Sequence, residues 1–401
     1  MRWTRGRRLV AGFAAGLGAV AAGLIVSEGR VGLLPSTRSM WREARAKGQP
    51  WWLFAHTYVY GRWSYAYIGT AIGERGILAR AKRALAPLAL RLSTGARWAD
   101  EYHGKVLPTA AARRLVEVQE DVAAVVPEQV IPFHSARDLV LSASGPLVAF
   151  DCPCRSARAN PCLPMDVCLV VGDPFATFVL EHHPGHSREV TRQEAVEILE
   201  AEAERGHVHH AFFKHAMLDR FYAICNCCSC CCGAIWAQRN GTPMLVSSGY
   251  VARVDPEACV GCGLCADKCL FDAVSIESAA RPASMEAPAI DSAARTTCAP
   301  YEDAASVHRT ARMASASRMA TDDHMPDGGR GASRLAQVDA ERCMGCGVCV
   351  RACPRGALQL VRDLDKPAPL TVGVVISDQS SVVSSGASLA PLDPKGNGRT
   401  N

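Results

Sequence analysis

Nineteen cysteines stand in this chain of 401 residues, and eighteen of them fall in four short runs: Cys152 to Cys168, Cys225 to Cys232, Cys259 to Cys269 and Cys343 to Cys353. Disulfide frameworks spread cysteines through small secreted domains, whereas short-range groups of thiols are the pattern of metal ligation. Direct neighbours such as Cys231 and Cys232 have poor geometry for pairing with each other. The chemistry indicated is therefore thiolate ligation of metal, assembled where thiols stay reduced. The densest run, CNCCSCCC over 225–232, places six cysteines in eight positions.

Two of the runs are one unit written twice. VDPEACVGCGLCADKCLFDAVSI (254–276) and VDAERCMGCGVCVRACPRGALQL (338–360) each carry C-x2-C-x2-C-x3-C. Three cysteines at this spacing wrap a tight loop around three corners of an iron–sulfur cube, and Gly261, Gly263, Gly345 and Gly347 let the backbone pass close to it. The fourth cysteine lies too far round to close the same cube and reaches the partner cluster. Zinc also binds C-x2-C pairs, but a zinc ribbon separates its pairs by a longer spacer and needs no third cysteine two residues on.

These residues resemble the bacterial two-cluster ferredoxin fold. The resemblance implies one [4Fe-4S] cluster held by Cys259, Cys262, Cys265 and Cys353, and a second held by Cys343, Cys346, Cys349 and Cys269. Two departures stand out. Leu270 replaces the proline that usually follows the fourth cysteine, while Pro354 keeps it, and the stretch between the halves is far longer than in a minimal ferredoxin. A long surface loop adds only modest closure entropy.

Upstream, CPCRSARANPCLPMDVCL supplies Cys152, Cys154, Cys162 and Cys168, and CNCCSCCC supplies Cys225, Cys227, Cys228, Cys230, Cys231 and Cys232. Together with the C-terminal unit they resemble a family of larger cysteine-rich iron–sulfur proteins, in which C-x-C-R…C…C and CNCC-x-CCC segments precede a two-cluster ferredoxin. That resemblance implies iron–sulfur electron transfer and no particular substrate. Ten thiols in two segments suffice for one or two further clusters, and Arg155 is placed to neutralise thiolate charge. Adjacent cysteines cannot all ligate one metal, so some are spare, buried as small apolar groups or redox-active. CCG at Cys231–Gly233 is similar to the cysteine-rich motif of heterodisulfide-reductase-type subunits. Cys298 stands alone and is not assigned as a ligand.

Seven of twelve histidines gather in the same region: His182, His183, His186, His207, His209, His210 and His215. They offer a metal ligand or a proton relay, or the plainer role of a hydrogen-bonded face. No G-x-G-x-x-G follows a strand, and neither a P-loop nor a G-x-S-x-G elbow is present, so no flavin, NAD or ATP site is visible. The mild formal charge of +5 and the lack of a basic block alternating with aromatics give no sign of nucleic-acid binding.

The elements that must position these thiols read as an α+β chain: a helical N-terminal region, an α/β cysteine-rich middle domain and a C-terminal ferredoxin-like 2[4Fe-4S] domain. Residues 74–126 look helical, most clearly from Thr109 after Pro108 through Leu115, Val116 and Val118 to a stop at Pro127. Ser135 is a cap for a short helix. LVAFDC (147–152) is a strand delivering Cys152, VCLVVG (167–172) a second strand beside Cys168, and Asp173-Pro174 opens a helix. In TRQEAVEILEAEAERG, Thr191 and Glu194 form a capping box, Val196, Leu199 and Ala203 share a face, and Gly206 ends the helix. Residues 279–334 show no period and read as a disordered insertion, as does the tail over 364–401, although LTVGVVI could add a strand.

At the N-terminus MRWTRGRR precedes an uncharged run over 9–26, barely of bilayer-spanning length. Readings compete: a single membrane anchor with the protein on the cytoplasmic face, or a twin-arginine export signal built on Arg7 and Arg8 with an A-x-A-like site at Ala19–Ala21. An ordinary buried helix fits poorly behind four arginines. The aromatic stretch over 51–69 suits a membrane interface, a core or a partner groove.

The expected layout is therefore an anchor or signal at 1–30, an aromatic-rich helical region at 31–126, a metal-binding middle domain at 127–250, a two-cluster domain at 251–363, and a tail at 364–401. The expected function is one-electron relay through two [4Fe-4S] clusters and a further cluster in the middle domain, serving redox donor and acceptor proteins, with no catalytic residue assigned. Arg155, Arg351 and Arg355 are the charges expected to tune potential. The alternatives are an oxidoreductase subunit reducing a substrate at an open middle cluster, and a metal-storage or cluster-assembly scaffold.

Overall fold

The structure, a computed structural model, describes residues 33–72, 102–133, 137–279 and 333–371. The expected anchor or signal and most of the long insertion lie outside these residues. No helix among the described residues is long and apolar enough to cross a membrane.

Three helices come first, α1 (Pro35–Ala46), α2 (Trp51–Arg62) and α3 (Ser64–Ile72). Then follow β1 (Tyr102–Leu107), α4 (Thr109–Val116), β2 (Val122–Val125), β3 (Asp138–Leu141), β4 (Leu147–Phe150) and the short α5 (Pro153–Ser156). The chain continues through β5 (Cys168–Val171), α6 (Phe175–His182), β6 (Ser187–Val190) and α7 (Arg192–Glu204). Next are β7 (Val208–Lys214), β8 (Arg220–Cys227), α8 (Gly233–Arg239) and β9 (Leu245–Val246).

β7 reads VHHAFFK and is buried along its whole length, the mark of a central strand covered on both faces. It lies in a nine-stranded sheet of order β6-β4-β5-β8-β7-β1-β9, with β2 and β3 joined beside β8. Side chains alternate across this sheet. Val106, Val148, Val170 and Phe212 enter one core, while Leu107, Ala149, Leu169 and Phe213 enter the other. A register shift after Phe212 pairs it with Ala223 and Phe213 with Phe221. The bulge turns both Tyr222 and Ala223 toward the first core, as an extra residue in one strand does.

Helices α1, α2 and α6 contribute Met40, Phe54, Tyr58 and Phe178 to that first core, and α4 and α7 contribute Leu115 and Leu199 to the second. Thr191 caps α7 by accepting the Glu194 backbone N–H at 3.1 Å, and Gly206 follows with φ of +81°. The Glu194 carboxylate pairs with Arg188 instead of returning to the cap.

The helical reading of 74–126 is corrected at two places. Residues 102–107 and 122–125 are strands; their pairing with β7 and β3 outweighs the helical bias of the arginine- and alanine-rich stretch around them. The boundary expected at 127 thus falls inside one sheet. Residues 73–101 and Ser135 lie outside the described chain, and the element after Ser135 is strand β3 rather than a helix.

Beyond the sheet come β10 (Tyr250–Val254), α9 (Leu264–Asp267), β11 (Val274–Ala279), β12 (Ser333–Val338), α10 (Val348–Ala352) and β13 (Leu358–Arg362). β10 pairs antiparallel with β13 and β11 with β12, so each half lends one strand to each ribbon. The ends of the expected insertion, residue 279 and residues 333–334, therefore belong to strands. The expected tail is ordered over its first residues: Leu370 is buried in the second core. Buried Lys105 on β1 donates to Val130 O and Ala368 O, both at 2.8 Å, and burial together with Arg362 lowers its pKa to about 7.

Candidate metal centres

In the C-terminal module the loops before α9 and α10 are shaped by glycine. Gly261 and Gly345 have φ of +63° and +64°, and a Cβ would lie 2.2 Å from Arg334 O at the first and 2.1 Å from Tyr250 O at the second. No side chain fits either place, so the loop backbone presses onto the opposite ribbon and turns its cysteines inward. Cys259, Cys262, Cys265 and Cys353 line one cavity together with Arg355. Cys269 lies close enough to Cys346 and Cys349 to act on their titration, as does Cys343. The fourth cysteine of each half thus sits with the first three of the other. At equivalent points the Ala273 N–H donates to Cys269 Sγ and the Ala357 N–H to Cys353 Sγ, both at 3.3 Å.

Burial pushes the Cys265 thiol up to about 11 and Cys346 up to about 12. Bare thiolates are thus disfavoured here, and a metal replacing each proton suits this donor set. The interleaved cysteines, the glycine-lined loops and the preset N–H donors fit a pair of four-iron clusters.

The ten middle cysteines come together from β4–α5, the 157–167 loop, β5 and the end of β8. Thiol–thiol contacts join Cys152 to Cys154 and Cys168, and Cys168 to Cys225, while Cys232 Sγ is 3.2 Å from Cys227 Sγ. These six line a cavity of about 100 Å³, walled also by Tyr60, Tyr102, Tyr222 and Phe178. The remaining four, Cys162, Cys228, Cys230 and Cys231, place all their sulfurs within 4.8 Å of one another.

The charges take places that spacing alone does not give. Arg155 is buried and paired with Glu202; its Nη2 also meets His207 Nδ1 and Asn226 O, both at 3.2 Å. Burial alone would lower its pKa, but Glu202, Cys152 and Cys228 outweigh that and keep it charged. The expected neutraliser of thiolates is therefore held first by a carboxylate. Arg158, which the sequence did not single out, donates to Cys231 O from Nε at 3.2 Å and Nη2 at 3.1 Å. Arg351 pairs with Glu200 on α7 at 2.9 Å, and Arg355 borders the first quartet.

The histidines divide. His182, His183, His186, His207, His209 and His215 each have a hydrogen-bond partner. His210 is fully buried, and neither of its ring nitrogens has a partner among the described residues. The metal-sized grouping contains no histidine. The aromatic stretch over 51–69 splits similarly: Phe54, Tyr58 and Tyr60 are core, whereas Trp51 and Trp52 are 53% and 56% exposed. Tyr60 and Tyr222 share a hydrogen bond of 2.9 Å at the cavity wall, with Lys214 Nζ 3.4 Å from the Tyr60 ring centre.

Comparison with protein families matches a 4Fe-4S binding domain at residues 252–275 and again at 336–359. The chain thus carries a ferredoxin-type module with tandem 4Fe-4S binding segments near its C-terminus. Comparison with curated proteins and with solved structures gives no match.

Proposed function

We propose that the protein is an electron carrier in which the ferredoxin-type module and a cluster in the six-cysteine cavity form one relay. In this reading Cys259, Cys262, Cys265 and Cys353 hold one [4Fe-4S] cluster, and Cys343, Cys346, Cys349 and Cys269 hold the other. A third is held by four of Cys152, Cys154, Cys168, Cys225, Cys227 and Cys232. Each cluster, when bound, supplies reversible one-electron chemistry.

The observation that carries the reading is a continuous apolar contact between the two regions. Leu270, Phe271, Met344 and Val348 of the module are buried in the same core as Cys152, Cys168, Cys227 and Cys232, and Cys269 and Cys346 pack against it. Leu270 stands where the duplicated unit has Pro354 and is one of the residues filling this contact. These buried side chains leave an apolar path from the second quartet to the cavity, and the N–H donors to Cys269 and Cys353 favour the reduced, more negative state. Cys262, by contrast, is exposed, so the first quartet faces outward toward a redox partner.

Attachment to a membrane through residues 9–26 belongs to the same proposal. The exposed Trp51 and Trp52 support it, since such rings favour a membrane interface. A second reading, reduction of a small substrate at an open middle cluster, draws on the same cavity and predicts a substrate-dependent change in the cluster spectrum.

Iron and acid-labile sulfide in anaerobically purified protein, with EPR of its reduced form, test the relay. About twelve cluster irons are expected, four per cubane, and about eight would remove the middle cluster. Colourless protein without sulfide would overturn the reading altogether.

A further inference from the structure

The run CNCCSCCC is two interleaved sets. Cys225, Cys227 and Cys232 turn into the cavity with Cys152, Cys154 and Cys168, whereas Cys228, Cys230 and Cys231 gather with Cys162. The turn after β8 produces this split: the Cys232 N–H closes onto Cys228 O at 3.3 Å, and Cys232 then caps α8. From the second set we infer that Cys162, Cys228, Cys230 and Cys231 bind a single metal ion, with four thiolates around it and no sulfide, at a site separate from every cluster.

Distance decides between one ion and a cube. Four thiolates around one zinc or iron ion, at bonds of about 2.3 Å, stand about 3.8 Å apart at the corners of a tetrahedron. Here Cys162 Sγ and Cys230 Sγ are 2.9 Å apart, Cys230 Sγ and Cys231 Sγ 3.7 Å, and no pair exceeds 4.8 Å. A four-iron cube interposes a cage of iron and sulfide and holds its thiolates farther apart. Neither ferredoxin quartet nor the six-cysteine ring contains three sulfurs this close; among the described residues only this group does.

The surroundings fit a closed, structural ion. Four protein thiolates leave no open position for substrate. The two segments that meet here, the 157–167 loop and the 228–232 turn, are joined by Arg158, which is 8% exposed and holds Cys231 O from two nitrogens. Its Nη1 also holds Ile72 O at 3.1 Å, which ties α3 to the same point. Its positive charge lies against a site that carries two net negative charges once four thiolates ligate a divalent ion. Cys228 and Cys231 also form part of the cavity wall, so the ion would fasten that wall from behind. This inference does not depend on electron relay.

The test uses the full chain purified without oxygen. Metal and acid-labile sulfide are counted in the unaltered protein, in Cys230→Ser, where the substituted residue is exposed, and in Cys162→Ser. The expected result is the loss of one ion per chain in either variant, with sulfide unchanged. X-ray absorption at the zinc edge should show four sulfur neighbours if the ion is zinc. Mössbauer spectra should show one mononuclear tetrathiolate iron if it is iron. Sulfide falling together with iron in Cys230→Ser would make the quartet part of a cluster and overturn the inference. So would zinc bound by nitrogen or oxygen, or a Cys162–Cys230 disulfide in place of metal. Absence of the relay clusters would instead register in the sulfide count of the unaltered protein.

Discussion

The C-terminal and middle cysteine regions solve one problem by opposite means. In the C-terminal module every quartet takes three ligands from one loop, and glycines at 261 and 345 let each loop press against a strand of the other half. In the middle region no loop supplies a complete set. Strand β5, the end of β8 and the segments around α5 converge because the nine-stranded sheet brings them together. Local spacing can encode a metal site completely; a site gathered by a sheet depends on everything that holds the sheet in place.

That contrast can be broken at its strongest point first. Cys262→Ala should remove one whole cluster, about four irons per chain, while leaving any metal of the middle region in place. Iron and sulfide analysis reads this directly, and a parallel loss of middle-region metal would show that the two regions are not independent.

The dependence of the middle site on its surroundings is sharpened by Arg155→Met. The change removes one buried partner of Glu202, which keeps His207 and Arg205, and should cost about 1–3 kcal/mol. A denaturant midpoint unchanged from the unaltered protein would contradict the role given to this pair.

Acid should weaken the sheet through two buried histidines of β7. Burial lowers His209 to about 4 and His210 to about 3, against an ordinary value near 6.5. The unfolded chain therefore takes up protons first as pH falls. Stability present above pH 6.5 is lost progressively toward about pH 3, on the order of several kcal/mol for the pair. Unfolding midpoints at pH 7.5 and pH 5 should converge in His210→Phe relative to the unaltered chain, and equal pH slopes would refute the assignment.

The smallest effect is expected where the regions touch at the surface. Arg351→Ala breaks the exposed pair with Glu200 and should cost at most about 1 kcal/mol. It should leave metal content unchanged. A larger loss in thermal unfolding would mean that the contact between module and sheet is more electrostatic than apolar.

What could be read from the chain follows the same divide. The duplicated run and its glycines are local, and the match to a 4Fe-4S binding domain falls on the same two segments. Strands β4 and β5 and helix α7 were also legible, because apolar runs and a capping threonine announce them. Strand β1 was not: YHGKVL has a buried lysine and histidine, and only pairing with β7 makes it a strand. The partition of CNCCSCCC was equally invisible, since adjacent cysteines diverge only once the turn after β8 is formed. Arg158 and Tyr222 carried no spacing signal, and a bulge gives Tyr222 its direction.

One clasp near the end of the described chain has a mechanical consequence. The module leaves the sheet through Ser248, whose Oγ donates to Gly345 O at 2.7 Å, and its exit is caught again where Lys105 grips Ala368 O. A body moored at both entry and exit cannot swing like a tethered shuttle. On the relay proposed above, a protein exchanging charge at exposed Cys262 would meet a fixed rim, with recognition set by shape rather than by reach.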